Sequence, residues 1–183
     1  MFKKFQFVGL LVAAVFVASA GYVIADGPAK PMPKEMPKEM PKSPAMDALC
    51  GLVGTWEPTD AAKEGMPHGP LVFKLTAGNS TVMETMFPDS DHEMVNLFTL
   101  DGDNVVVTHY CAMHNQPHMK LKSFEKNVLS FEFVNGGNLK SADEAHMHAL
   151  EIIINGDKLT EKWSFFKDGK ELHSAKFEFS KKK

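Results

Sequence analysis

From Trp56 onward, apolar and polar residues alternate with a period of two over runs of strand length. Leu71, Phe73 and Leu75 oppose Val72, Lys74 and Thr76, while Met119 and Leu121 oppose His118, Lys120 and Lys122. Leu129, Phe131 and Phe133 oppose Ser130 and Glu132, and Trp163 and Phe165 oppose Lys162 and Ser164. Ala175, Phe177 and Phe179 oppose Ser174, Lys176 and Glu178. Successive strand side chains point to opposite faces, so each first-named set is expected inside the fold. The runs cover roughly 70–77, 80–88, 92–100, 103–112, 116–124, 127–134, 144–154, 157–167 and 170–179. Gly78-Asn79, Asp101-Gly102-Asp103, Asn135-Gly136-Gly137, Asn155-Gly156-Asp157 and Asp168-Gly169 separate several of them. Such residues tolerate the positive φ that tight hairpins demand, which makes them turn signals with a mechanism. Counting the Trp56 segment, the pattern predicts about ten strands after a short helical lead-in, MDALCGLV. The fold class is all-β, an antiparallel up-and-down β-barrel, because closure is how such a meander hides its edges.

Upstream, the pattern changes twice. Lys3 and Lys4 precede an uncharged run, Phe7 to Ala18, which ends in Ala18-Ser19-Ala20. This is the three-part form of a secretory signal peptide, with cleavage expected after Ala20 or Ala25 and an exported, periplasmic or secreted product. The alternative is an uncleaved N-terminal anchor in the inner membrane, since Phe5 to Ala25 is long enough to span a bilayer. Ala29 to Met46 reads AKPMPKEMPKEMPKSPAM. Its prolines remove backbone donors and fix φ, so it is read as an extended spacer. The soft thioethers of Met32, Met36, Met40 and Met46 make Cu(I) binding the sharper reading of that stretch. The expected organisation is therefore a leader (1–25), a disordered Pro/Met/Lys-rich spacer (26–46), a barrel domain (47–180) and a basic tail (181–183).

Composition narrows the functional classes. Apolar residues make up 44% of the 183-residue chain and charged residues 23%, which excludes a wholly disordered protein. All 20 basic side chains are lysine, and the net charge is −3. A nucleic-acid partner is therefore not expected, and the bidentate guanidinium fork for carboxylates and phosphates is missing. After leader cleavage no membrane span remains in the pattern. The sequence does not set the oligomeric state.

Gly54-Thr55-Trp56 at the start of a hairpin meander resembles the lipocalin and fatty-acid-binding group, the calycin superfamily. More narrowly, LVGTW, DHEMV at 91–95, THYCAMHNQPHM at 108–119 and HMHAL at 146–150 resemble exported bacterial lipocalin-like proteins of the DUF1579 type, a family without a settled activity. The resemblance covers most of residues 49–179. It implies a barrel with Trp56 closing one end and says little of function. The small-ligand reading comes from the architecture, since a barrel of about eight to ten strands encloses a cavity of ligand size. Where the family run reads NQPR, this chain has Asn115-Gln116-Pro117-His118. It also lacks the arginine with which fatty-acid binders clamp a carboxylate.

The histidines are the candidate chemistry. His146 and His148 stand at i and i+2 with Leu150, Ile152 and Ile154, the more apolar face of their run. About 6.6 Å along one strand face suits two imidazoles on one metal ion. His109 and Cys111 form a second such pair, on a face with Val105 and Val107, and His92 and Glu84 are further candidates. Two readings stay open. In one, Trp56, His92, His109, His146, His148 and Trp163 line a lumen whose polar patch orients a small apolar or amphipathic ligand, with no cofactor. In the other, His109, Cys111, His146 and His148 hold zinc or copper, or His146 or His148 is the axial ligand of a haem. A structural envelope protein with a filled barrel is the third alternative. Cys50 and Cys111 are candidates for a disulfide in an exported chain, exclusive of a Cys111 thiolate ligand. Gly-x-Ser-x-Gly, His-Glu-x-x-His and phosphate-binding glycine loops are absent, so an enzyme is not expected. Asp89/Asp91 and Asp101/Asp103 sit at turns, where aspartate caps backbone.

Overall fold

The computed structural model describes residues 43–183, apart from Lys63. The leader and most of the spacer, with Met32, Met36 and Met40, lie outside the described residues. Ten strands follow one helix: α1 (Pro44–Cys50), β1 (Gly54–Pro58), β2 (Leu71–Thr76), β3 (Thr81–Met86), β4 (Met94–Asp101), β5 (Asn104–Tyr110), β6 (Gln116–Glu125), β7 (Val128–Gly137), β8 (His146–Asn155), β9 (Lys158–Lys167) and β10 (Lys170–Lys181). Each strand pairs antiparallel with its sequence neighbours, and β1 pairs with β10, so the meander closes into a barrel. Trp56 lies opposite both Lys181 and Leu71 at this seam. The expected all-β barrel is what forms. Among the described residues, no helix is long and apolar enough to cross a membrane.

The helix begins inside the expected spacer. Ser43 is its N-cap, with Oγ accepting from the Met46 amide at 3.3 Å, and Pro44 occupies the first turn. Proline is suited there, since first-turn amides have no intrahelical acceptor anyway. Ala45, Met46 and Leu49 are buried, so Met46 serves the core. At the other terminus the strand register runs to Lys181, whose Nζ lies 5.4 Å from the Trp56 ring centre. Lys182 pairs with Glu57 at 2.8 Å. The expected basic tail is thus largely part of the barrel seam.

Turn chemistry follows the sequence at Gly78-Asn79, Gly102, Gly156 and Asp168-Gly169, all at positive φ. It differs at two places. Lys126 and Asn127, with φ of 49° and 62°, make the β6–β7 turn without glycine. Asn135-Gly136-Gly137 is the end of β7 rather than a turn. A Cβ on Gly137 would lie 2.9 Å from Gln116 Oε1, and one on Gly136 3.2 Å from the Gln116 carbonyl, so both glycines sit where β6 approaches closely.

The barrel interior has two halves. At the end where β1 starts and β10 finishes, α1 and Leu52 close the opening, and Trp56 Nε1 donates to the Leu52 carbonyl at 2.8 Å. Phe73, Val82, Phe98, Phe131, Leu150, Ile152, Leu159 and Phe179 fill that half, with the Phe98 and Phe131 rings 5.7 Å apart. The opposite end is not filled. Because Trp56 joins helix, seam and core through one donor, Trp56→Phe should lower unfolding stability by about 1–2 kcal/mol, leaving the Leu52 carbonyl without that donor. Urea unfolding followed by circular dichroism measures it, and an unchanged midpoint would show that the indole hydrogen bond is not a structural tie.

Candidate functional site

Register builds the site. Glu84 on β3 lies opposite Asn96 on β4, and Asn96 lies opposite His109 on β5. All three are buried, on the inward parity of Val82, Phe98 and Val107. His109 Nδ1 donates to Asn96 Oδ1 at 2.7 Å, and Asn96 Nδ2 donates to Glu84 Oε2 at 2.8 Å. From β9, well separated from β3 around the wall, Glu161 reaches the same place and hydrogen-bonds to Glu84. Trp163 Nε1 donates to Glu161 Oε2 at 3.0 Å, and the Trp163 ring sits 4.7 Å from the His109 ring. A polar chain therefore crosses the lumen from His109 to Trp163.

A hydrogen bond between two carboxyl groups needs a proton. Were both ionised, Glu84 Oε1 and Glu161 Oε1 would each be buried without a donor. Burial pushes Glu84 well above the usual carboxylate range, and the charge and hydrogen bond of Glu161 push it further. Burial also raises Glu161, but hydrogen bonds from Glu84 and Trp163 oppose this. The larger upward push on Glu84 places the shared proton there. Burial pushes His109 down to about 4, so its imidazole is neutral at physiological pH, and its Nε2 is buried with no partner.

His109 and Trp163 also line a cavity of about 330 Å³ in the unfilled end. Its walls are the thioethers of Met66, Met86, Met94, Met113 and Met147 with Phe165, Ala175 and Phe177. Cys111 lines it too, and the loop that follows folds back through Cys111 N–H to the Asn115 carbonyl at 3.1 Å. Asn115 Nδ2 ties this loop to the Ala145 carbonyl at 2.8 Å, so the THYCAMHNQPHM stretch forms part of the rim. Exposed His92 and His173 stand at the mouth, His173 stacked on Phe165.

Of the other sequence candidates, His92 stays at the cavity mouth, whereas Trp56, His146 and His148 lie elsewhere. Trp56 plugs the opposite end. His92 belongs to a turn before β4 rather than to the strand, and it is exposed. His146 and His148 do not line the cavity. A β-bulge falls between Met147 and Ala149 in the β8–β9 register, leaving His148 unpaired. One extra residue inverts the parity beyond it, so Met147, not its neighbours, reaches the cavity. His146 Nδ1 donates to the Glu144 carbonyl at 2.7 Å, and His148 Nδ1 donates to His146 Nε2 at 3.0 Å. His148 stacks on Phe166 at 3.9 Å and His146 packs on Phe133 at 4.1 Å, beside an outer hollow that includes Glu132, Glu151 and Glu171. The four residues His109, Cys111, His146 and His148 are therefore not assembled, and no group of three or more His, Cys, Asp and Glu able to hold a metal exists among the described residues. Cys50 and Cys111 are free thiols, one in α1 at the closed end and one at the cavity. Burial raises the Cys111 thiol, which keeps it protonated at neutral pH.

Asn96, Glu161, His173 and the five methionines were not singled out by the sequence reading. Asn96 and Glu161 did carry a signal, since each shares parity with buried apolar neighbours, Met94 and Phe98 for one, Leu159 and Trp163 for the other. The fold and site define a closed ten-stranded barrel with an end-on cavity floored by a buried hydrogen-bond chain. No family model matches the chain, and no curated protein does.

The protonated state of Glu84 has a measurable consequence. Its folded pKa lies above its unfolded one, so its stabilising contribution is complete at acid pH and is lost as pH rises toward the folded value. Glutamine can offer its oxygen to Asn96 and its amide to Glu161 at any pH. The melting temperature of Glu84→Gln relative to the native chain should therefore climb steadily between about pH 4 and about pH 8. A difference that stays flat over that interval would place the proton elsewhere.

Proposed function

We propose that this protein is an exported binding barrel that takes up a small, mostly apolar molecule through the unfilled end, with His109 meeting its polar group. One observation carries the reading: a neutral, buried imidazole nitrogen without a partner, beside a cavity walled by thioethers and aromatic rings. Ligand sites combine this kind of apolar wall with a few placed polar groups, and about 330 Å³ is at the small end of their usual range, ~300–1,000 Å³. Methionine walls add adaptability, because a thioether side chain has three torsions and repacks readily. The signal-peptide pattern of Met1–Ala25 supports export, and the resemblance to exported lipocalin-like proteins agrees with export.

A neutral apolar dye such as phenylnaphthylamine tests this directly. It should bind one to one, with fluorescence enhancement and quenching of Trp163. Ala175→Phe, which fills the cavity from β10, should weaken binding at least tenfold, about 1.4 kcal/mol. A dye that binds neither the native chain nor any variant, or binds Ala175→Phe unchanged, would remove the cavity from consideration.

A second reading is supported by the same floor. A histidine that ligates a metal commonly donates its other ring N–H to an oxygen acceptor, as His109 does to Asn96. Thioethers add soft donors suited to Cu(I). On this reading His109, rather than His146 or His148, is the anchor. Elemental analysis of protein purified from its native export route separates the two: stoichiometric copper lost in His109→Ala favours the metal, and a metal-free protein that binds the dye favours the organic ligand.

A further inference from the structure

The hydrogen bonds behind His109 determine what its free nitrogen can accept. Asn96 presents one carbonyl and one amide group. Its Nδ2 lies 2.8 Å from Glu84 Oε2 and 3.4 Å from Met86 Sδ. A thioether sulfur can only accept, so the amide hydrogens point toward Glu84 and Met86. Asn96 Oδ1 is left facing His109 Nδ1 at 2.7 Å, and that nitrogen must carry a hydrogen. In a neutral imidazole the other nitrogen then has a lone pair and no hydrogen. His109 Nε2 is an acceptor, buried and unpartnered. What it lacks is a donor.

Charge supplies the second constraint. The Glu84–Glu161 carboxyls share the lumen behind His109, and burial raises both, so no positive charge is offered there. No lysine lines the cavity, and the chain has no arginine. An anionic head group at His109 would be desolvated there beside two buried carboxyls, with no lysine or arginine to balance its charge. A hydrocarbon would fit the walls and leave Nε2 unsatisfied.

We propose that the cavity selects neutral molecules that carry a hydroxyl or N–H group on an apolar body, with that donor engaging His109 Nε2, and that it discriminates against the carboxylate of the same body. The proposal rests on the reading of the cavity as a binding site. Nε2 is buried although His109 lines the cavity, and the donor reaches it through a wall whose thioether side chains rearrange readily. The inference also explains the absence of an arginine clamp. A site that recognises a donor needs an acceptor, which His109 supplies.

Calorimetric titration of the full chain with naphthalene, naphthol, methoxynaphthalene and naphthoate, substituted at one ring position, tests it. Naphthol should bind about tenfold more tightly than naphthalene and the methyl ether, the worth of one added hydrogen bond. Naphthoate should bind at least tenfold more weakly than naphthol, about 1.4 kcal/mol. In His109→Leu the three neutral compounds should converge. The ranking on the native chain is itself decisive, should that variant fail to fold. Naphthoate equal to or tighter than naphthol, or naphthol equal to naphthalene, overturns the inference while leaving the cavity a binding site. If none of the four binds, the binding reading falls and this inference with it.

Discussion

A proton held between two buried carboxyl groups is the constraint on which the interior of this barrel depends. Glu84 and Glu161 have no surface exposed, and both ionised together would repel inside a low-dielectric lumen. One proton turns that repulsion into a hydrogen bond. It also fixes everything attached to it. Glu84 Oε2 becomes an acceptor for Asn96, Asn96 Oδ1 an acceptor for His109, and Glu161 an acceptor for Trp163. The tautomer of His109 is set from the far side of the barrel. The network ties β3, β4, β5 and β9 together, strands of which β9 is no neighbour of the others.

That chain of bonds lies where the barrel changes character. Toward α1 the lumen is packed with aromatic and aliphatic side chains, and Trp56 seals it. Toward the cavity the inward positions are methionine, aromatic, alanine, cysteine and imidazole side chains around open space. A core packed along its whole length would leave no cavity, and an empty cylinder would have too little buried surface to hold its shape. Dividing the barrel resolves both demands. The packed half supplies stability, and the polar chain forms a rigid floor between the halves. The thioether-walled half can rearrange without disturbing either.

The strand pattern was legible because closure holds most runs to alternation, with register shifts confined to the pairings of β6 with β7, β8 with β9 and β9 with β10. Val105, Val107, His109 and Cys111 share an inward face as their parity required. The site was legible only in part, and the reason is specific. His146 and His148 have the parity of Leu150, yet the bulge at His148 breaks that count, and nothing in HMHAL signals a bulge. Glu161 sits between Leu159 and Trp163 on an inward face, a pattern that reads as an acidic residue out of place. Its partner is more than seventy residues away on β3, and pairing across a lumen leaves no trace in local periodicity. Asn135-Gly136-Gly137 has the composition of a turn, but close approach to Gln116 accounts for Gly137 equally well.

Stability alone does not account for the carboxyl pair. Replacing buried ionisable groups by apolar residues of similar size is often neutral or favourable for folding, and the barrel already has an apolar half that shows such packing is available. The cavity, on its own, would need only apolar walls. What the pair accomplishes, and leucine at the same positions would not, is to hold Asn96 in one orientation and thereby keep a hydrogen on His109 Nδ1. The outcome is a neutral imidazole with its lone pair left unmatched by any group of the described protein. An unmet acceptor deep in an apolar interior is destabilising, and four other polar side chains, Asn96, Glu84, Glu161 and Trp163, hold this one in place.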